Sequence, residues 1–159
     1  MGDCSHTDRV LAVTLYEAQG RMVMVCPIFC LTVQEDKKLK QIFLVEDDMT
    51  IAKNLTRLLS AEGFTVAHAP TRQQAFDMLG KQKFDLGLVD ISLPDGNGFT
   101  VCTEIKEVQD IPVIFLTASG DEASVVTGLN MGGDDYITKP FRPRELVARI
   151  RTALRRGER

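Results

Sequence analysis

Residues 86–99 read LGLVDISLPDGNGF and residues 42–48 read IFLVEDD. Each is a short, nearly continuous apolar run that ends in acid: Asp90 after 86–89, and Glu46, Asp47 and Asp48 after Gln41–Val45. A run this short that is apolar on both faces suits a strand inside a sheet covered on both sides. Working outward, three more short runs read as strands, at Thr65–Ala69, 112–116 (PVIFL) and 135–138 (DYIT). Helical periodicity follows every one of the five.

The first helix carries Ile51, Leu55, Leu58 and Leu59 on one face and stops at Gly63, a residue suited to a left-handed cap. The second spans 71–79 and ends at Gly80, the third spans 99–108, and the fourth spans 122–131 ahead of Gly132-Gly133. The last begins after Pro143, a first-turn position, and aligns Leu146, Val147, Ile150 and Leu154. Parallel strands need crossover connections, so five strand–helix pairs in succession predict an α/β fold whose parallel sheet is covered by helices on both faces. In such sheets ligands bind outside the carboxyl ends of the strands, near the switch in winding direction.

Several polar groups reach that edge. Glu46 and Asp47 follow the first strand, Asp90 the third, Thr117 the fourth, and Lys139-Pro140 the fifth. Converging carboxylates repel unless a cation is present, and hard oxygen donors suit Mg²⁺. A carboxylate, a metal, a hydroxyl and an ammonium are the parts needed to form an aspartyl phosphate. Singly, each residue reads as a solvated loop acid, a strand-end hydroxyl or a surface lysine, and only their convergence shifts the reading. A cis bond before Pro140 is one way to aim Lys139 inward, although cis is the minority state for X-Pro bonds.

Composition narrows the classes. The chain has 159 residues, 44% hydrophobic and 26% charged, with 19 basic against 22 acidic side chains and a net charge of −3. That length suits one globular domain, and the charge offers no excess of cations for a phosphate backbone, so any DNA contact would need another domain. The longest apolar run, residues 22–33, falls short of the roughly 20 residues that span a bilayer, which predicts no membrane segment. Four cysteines at 4, 26, 30 and 102 have neither disulfide-framework nor zinc spacing, fit a reducing cytoplasm, and read as small hydrophobes. Residues 1–39 show no clear alternation of strand and helix signals and end in QEDKKLK at 34–40. They read as an amino-terminal extension of unknown role. A signal peptide is disfavoured by Asp8 and Glu17 and by the lack of an A-x-A-like site. An alternative start codon at Leu31 or Val33 would make the extension upstream sequence.

Four strings in order, IFLVEDD (42–48), LGLVDISLPDGNGF (86–99), PVIFLTA (112–118) and GGDDYITKPFRPREL (132–146), resemble the receiver domain of two-component response regulators over residues 40–155. The resemblance implies a flavodoxin-like, CheY-like doubly wound sheet of five parallel strands in the order 2-1-3-4-5, with five helices. It gives a receiver at 40–156, with 157–159 as a tail or the start of a linker. By the same resemblance Asp90 is the phosphoacceptor and Glu46 and Asp47 are the acids serving Mg²⁺. Asp90 and the backbone carbonyl of Ser92 complete the metal set, and Asp48 starts a helix. Thr117 is the switch hydroxyl, Lys139 the phosphate-contacting lysine, and Tyr136 the aromatic whose rotation reports phosphorylation. The implied partner is a sensor histidine kinase. The domain would phosphorylate and dephosphorylate itself rather than turn over substrate, and would signal by shifting the population of its output face.

The string GGDDYITKPFRPRELVARIRTALRR is most similar to the OmpR/PhoB subfamily. Those receivers usually precede a winged-helix DNA-binding domain and dimerise through the fourth helix, fifth strand and fifth helix. Asp135, Glu145 and Arg149 match charged positions of that interface, while Val125 and Asn130 stand where the subfamily often has a base and an acid. The loop between Asp90 and Thr117 is a few residues shorter than usual there. The implied output is regulation of transcription through an effector domain that is not in this chain, which is either truncated or a stand-alone receiver. Two alternatives compete, a receiver-like interaction module that is never phosphorylated and, behind it, a haloacid dehalogenase-type phosphatase; a dinucleotide binder is weaker still. The phosphatase would need an acid where Ser92 stands, and the dinucleotide binder a GxGxxG after the first strand.

Overall fold

The computed structural model describes residues 14–18, 21–25, 38–118 and 122–158. The chain separates into two compact units, residues 1–38 and 39–159. In the first, β1 (Thr14–Ala18) and β2 (Arg21–Val25) form an antiparallel hairpin that pairs Thr14 with Val25 and Ala18 with Arg21. Residues 1–39 show no clear alternation of strand and helix signals in sequence, and the hairpin adds two strands within that extension. The hairpin is defined by cross-strand pairing between β1 and β2. Periodicity over a few residues does not reveal such a pairing. Cys4, Cys26 and Cys30 lie outside the described residues.

The second unit runs β3 (Gln41–Val45), α1 (Met49–Ala61), β4 (Thr65–Ala69), α2 (Arg72–Leu79), β5 (Leu86–Asp90), β6 (Ser92–Leu93), β7 (Gly96–Asn97), α3 (Gly98–Val108), β8 (Val113–Ala118), α4 (Glu122–Asn130), β9 (Asp135–Lys139) and α5 (Pro143–Gly157). Its main sheet has five strands in the order β4-β3-β5-β8-β9, every pair parallel. Counted along the sheet strands alone, that is 2-1-3-4-5, the flavodoxin-like order. The winding direction switches between β3 and β5, so the chain ends that carry Glu46 and Asp90 open into the same crevice.

Alternation along the strands divides the core. Ile42 and Leu44 face α1 and α5 through Leu55, Leu59, Leu146 and Ile150, whereas Phe43 and Val45 face α2 and α3 through Ala75, Leu79, Val101 and Ile105. Cys102, on α3, is fully buried, and burial pushes its thiol up to about 11, so it packs as a small hydrophobe. Gly63 closes α1 with φ +87°, the left-handed cap its position suggested. Asp48 caps the same helix by accepting from the Thr50 and Ile51 N–H groups.

Three differences from the sequence reading bear on the site. β8 extends to Ala118, two residues past the expected end, because β9 supplies a second ladder that pairs Thr117 with Thr138 and Ala118 with Lys139. Asp90 belongs to β5 and pairs with Leu116 rather than following the strand. The two-residue strands β6 and β7 fold the segment after Asp90 into a small hairpin, Ser92 opposite Asn97. Among the described residues no helix is long and apolar enough to cross a membrane.

Candidate functional site

Glu46 is fully buried at the end of β3, its N–H bonded to the Ala69 carbonyl and its carboxylate accepting from the Asp48 N–H at 3.1 Å. Asp90 is 6% exposed at the end of β5 and accepts from the Ser92 N–H at 3.0 Å. From β9, Lys139 places its ammonium 2.7 Å from Glu46 Oε2 and 2.7 Å from Asp90 Oδ2, bridging the two acids. The Lys139-Pro140 bond is cis. Carboxylate oxygens of Glu46, Asp47 and Asp90 all lie within 4.8 Å of one another, with Asp47 on the exposed side. Thr117 is buried, and its hydroxyl donates to the Ala118 carbonyl at 3.3 Å, a long bond within its own strand end.

Charge is out of balance here. Two buried acids share one ammonium, and burial, with the neighbouring Asp90 charge adding to it, pushes the Glu46 carboxyl up to about 7 despite the opposing Lys139 bond. Burial works to lower the Lys139 pKa, yet its bonds to Asp90 and Glu46 outweigh this and raise it. The pocket therefore holds uncompensated negative charge on hard oxygen donors, the chemistry that suits a small divalent cation such as Mg²⁺.

A stability prediction follows. The folded Glu46 carboxyl titrates near 7 against an ordinary 4.5, so the metal-free fold gains a proton relative to the unfolded chain between those values and loses stability as pH rises through them. Glu46→Gln keeps an acceptor for Lys139 and removes that charge. In EDTA above pH 7 the variant is expected to be more stable than wild type by about 1 to 2 kcal/mol, shrinking toward zero near pH 4.5. Urea melts at several pH values measure this; a variant less stable than wild type above pH 7 would refute the charge imbalance.

The other predicted residues gather elsewhere. Tyr136, on edge strand β9, is 38% exposed, and its Cα partner in β8 is Phe115. Arg149 on α5 grips both carboxylate oxygens of Asp135 at 2.9 and 3.0 Å and also bonds Glu145, so these three form one cluster on β9 and α5. Two contributors escaped the sequence reading. His68 Nε2 lies 2.7 Å from the Glu46 carbonyl, a contact visible only from the β3–β4 register, in which His68 faces Leu44. Gly98 donates its N–H to the Ile91 carbonyl at 2.8 Å and passes so close that a Cβ would lie 2.2 Å from the Asp90 carbonyl oxygen. The glycines of DGNG were the available signal for that close approach.

Sheet order and site together define a flavodoxin-like α/β domain with an acidic pocket and a lysine at the carboxyl edge of its strands. The family model of the response regulator receiver domain matches residues 42–151, and the chain belongs to this family. The DNA-binding response regulator MtrA of Mycolicibacterium smegmatis is 42% identical over 123 residues, covering 77% of this chain and 54% of that relative. Among solved structures, the response regulator DrrB of Thermotoga maritima, described as an OmpR/PhoB homolog, is 36% identical with a TM-score of 0.66, covering 74% of this chain and 54% of that one. A CheY-like receiver domain protein from Methanospirillum hungatei is 32% identical with a TM-score of 0.72, covering 76% of this chain and 97% of that one. The chain spans about half the length of the curated relatives it matches. It is thus a receiver domain of two-component response regulators, most similar to those of OmpR/PhoB type.

Proposed function

We propose that Asp90 accepts a phosphoryl group from a phosphohistidine on a sensor histidine kinase, or from a small acyl phosphate. The observation that carries this reading is the Lys139 bridge between Asp90 and Glu46 at 2.7 Å to each. A carboxylate oxygen of Asp90 forms the new O–P bond while the N–P bond of the phosphohistidine breaks and its electron pair returns to the imidazole ring. Lys139, already against Asp90 Oδ2, is placed to follow the charge onto the phosphoryl oxygens, and the Ser92 N–H holds the other carboxylate oxygen. Mg²⁺, held by Glu46, Asp47, Asp90 and the Ser92 carbonyl, would supply charge neutralisation on the phosphoryl group. Water later hydrolyses the acyl phosphate, so the domain resets rather than turning over substrate.

The phosphoryl group brings about one and a half to two negative charges. Thr117 leaves only a long bond within its own strand end when its hydroxyl turns toward that charge. The face of α4, β9 and α5 then changes, with Tyr136 as its aromatic reporter. Dimerisation across that face would require Asp135, Glu145 and Arg149 to exchange the partners they hold within the chain. By likeness to the DNA-binding relatives, we assign transcriptional output to an effector domain outside residues 1–159, and a cytoplasmic location to the whole.

Lys139→Ala is expected to slow phosphorylation by about 100-fold, the order of effect for removing a preorganised charge-stabilising group, while retaining Mg²⁺ binding measured by calorimetry. A rate equal to wild type would remove Lys139 from the mechanism. The reading as a whole is tested by intact-mass analysis after incubation with acetyl phosphate, with Mg²⁺ and with EDTA. Gain of one phosphoryl group only with metal supports it; no gain on folded protein would point to an interaction module that is never phosphorylated.

A further inference from the structure

The hairpin that follows Asp90 is tied to a distant helix. Its turn carries Asp95, whose carboxylate accepts from the Arg72 N–H at 2.9 Å and from the Gln73 N–H at 3.1 Å, across more than twenty residues of sequence. Those are the first two N–H groups of α2, donors that the helix itself cannot satisfy. Thr71 bonds the next one, at Gln74. The Arg72 N–H bond, opposed by a little burial and helped by Gln73, holds the Asp95 carboxyl below its ordinary pKa, so it stays charged at the positive end of the helix. Gly96 next to it leaves room for the Arg72 side chain to lie along the turn.

The same hairpin begins at Ser92, whose N–H grips Asp90 at 3.0 Å. Leu93 is buried beneath it, and Asn97 caps α3 by accepting from the Thr100 N–H. The segment is therefore fixed to the core, to α3 and, through Asp95, to α2. An exposed carboxylate bonded to two backbone N–H groups adds little to global stability, yet two bonds to one rigid helix end define where the turn sits.

We propose that Asp95 is a positioning residue for phosphoryl transfer: by clamping the β6–β7 turn to the first turn of α2, it holds Ser92 where its N–H orients the Asp90 carboxylate. This rests on the reading of Asp90 as the phosphoacceptor. Loss of the clamp leaves the reacting carboxylate chemically intact and lets the backbone that aims it drift.

Thr71→Ala is the matching control, because it removes the other side-chain cap of the same helix without touching the hairpin. Asp95→Ala is expected to slow acetyl phosphate-driven phosphorylation about tenfold, the lower end of what loss of a supporting partner costs a site. It should also speed hydrogen exchange of the Ser92 amide about tenfold, the equivalent of one unit in log protection. Thr71→Ala should match wild type in both, and Asp95→Asn, which keeps one acceptor oxygen, should restore part of each. Equal effects of Asp95→Ala and Thr71→Ala, or no effect of Asp95→Ala on Ser92 exchange, would overturn the inference. Failure of wild type to accept phosphate would instead overturn the reading of Asp90, and Ser92 exchange would still decide whether the clamp exists.

Discussion

Asp90→Asn is expected to abolish phosphoryl transfer to this domain while leaving it folded. The amide matches the carboxylate in shape, so its oxygen can still accept from the Ser92 N–H, and the surrounding core at Leu88, Val89 and Leu116 is untouched. What disappears is the nucleophile, since an amide offers no anionic oxygen to attack phosphorus. The phosphorylated fraction should fall below detection, a loss of at least about 1,000-fold, as expected when the reacting group itself is removed. Mg²⁺ affinity should weaken as well, because one of three clustered acids is lost. Intact-mass analysis of both proteins, each shown folded by circular dichroism, measures the first effect. A phosphorylated fraction equal to wild type would mean that another side chain accepts the group.

The second large effect comes from a residue with no side chain. A Cβ at Gly98 would lie 2.2 Å from the Asp90 carbonyl oxygen and 2.9 Å from Val89 Cγ1, far inside contact distance. Either the start of α3 or the end of β5 must shift, and β5 is buried along its whole length. Gly98→Ala should therefore cost about 3 kcal/mol, at the top of the range for overpacking, because the atom met is backbone. Gly80→Ala is the opposing case: Gly80 has φ −76°, and the nearest atom to a new Cβ is 3.8 Å away. There alanine should be neutral or stabilise by up to about 1 kcal/mol through reduced freedom of the unfolded chain. Urea denaturation of the pair gives opposite signs if the close approach is real; a Gly98→Ala variant as stable as wild type would show that β5 and α3 have slack. Because the clash falls on the Asp90 backbone, the same variant should also phosphorylate poorly.

The pairing of acids with lysine illustrates how far the sequence carries the site. Glu46, Asp47, Asp90, Thr117 and Lys139 were legible because each stands at or just after the end of a predicted strand, and parallel strands bring their carboxyl ends to one edge. Asp48 was legible as a cap because a side-chain oxygen before a helix satisfies its free N–H groups. Asp95 and His68 were not, since their partners come from elements far apart in the chain and no local pattern marks them. The hairpin of β1 and β2 escaped for a related reason: its order lies in pairing between strands rather than in periodicity within one.

The amino-acid sequence by itself determined the alternation of strand and helix in residues 40–156, the parallel sheet and the set of groups at its edge, because apolar period and cap chemistry are local properties. The tertiary structure alone decided that Lys139 bridges two acids rather than one, leaving Glu46 with a carboxyl raised to about 7. It alone decided that Arg149 spends its charge within the chain, on Asp135 and Glu145. Such partnerships depend on angles and distances between elements, which are fixed only when the two faces of the sheet are packed.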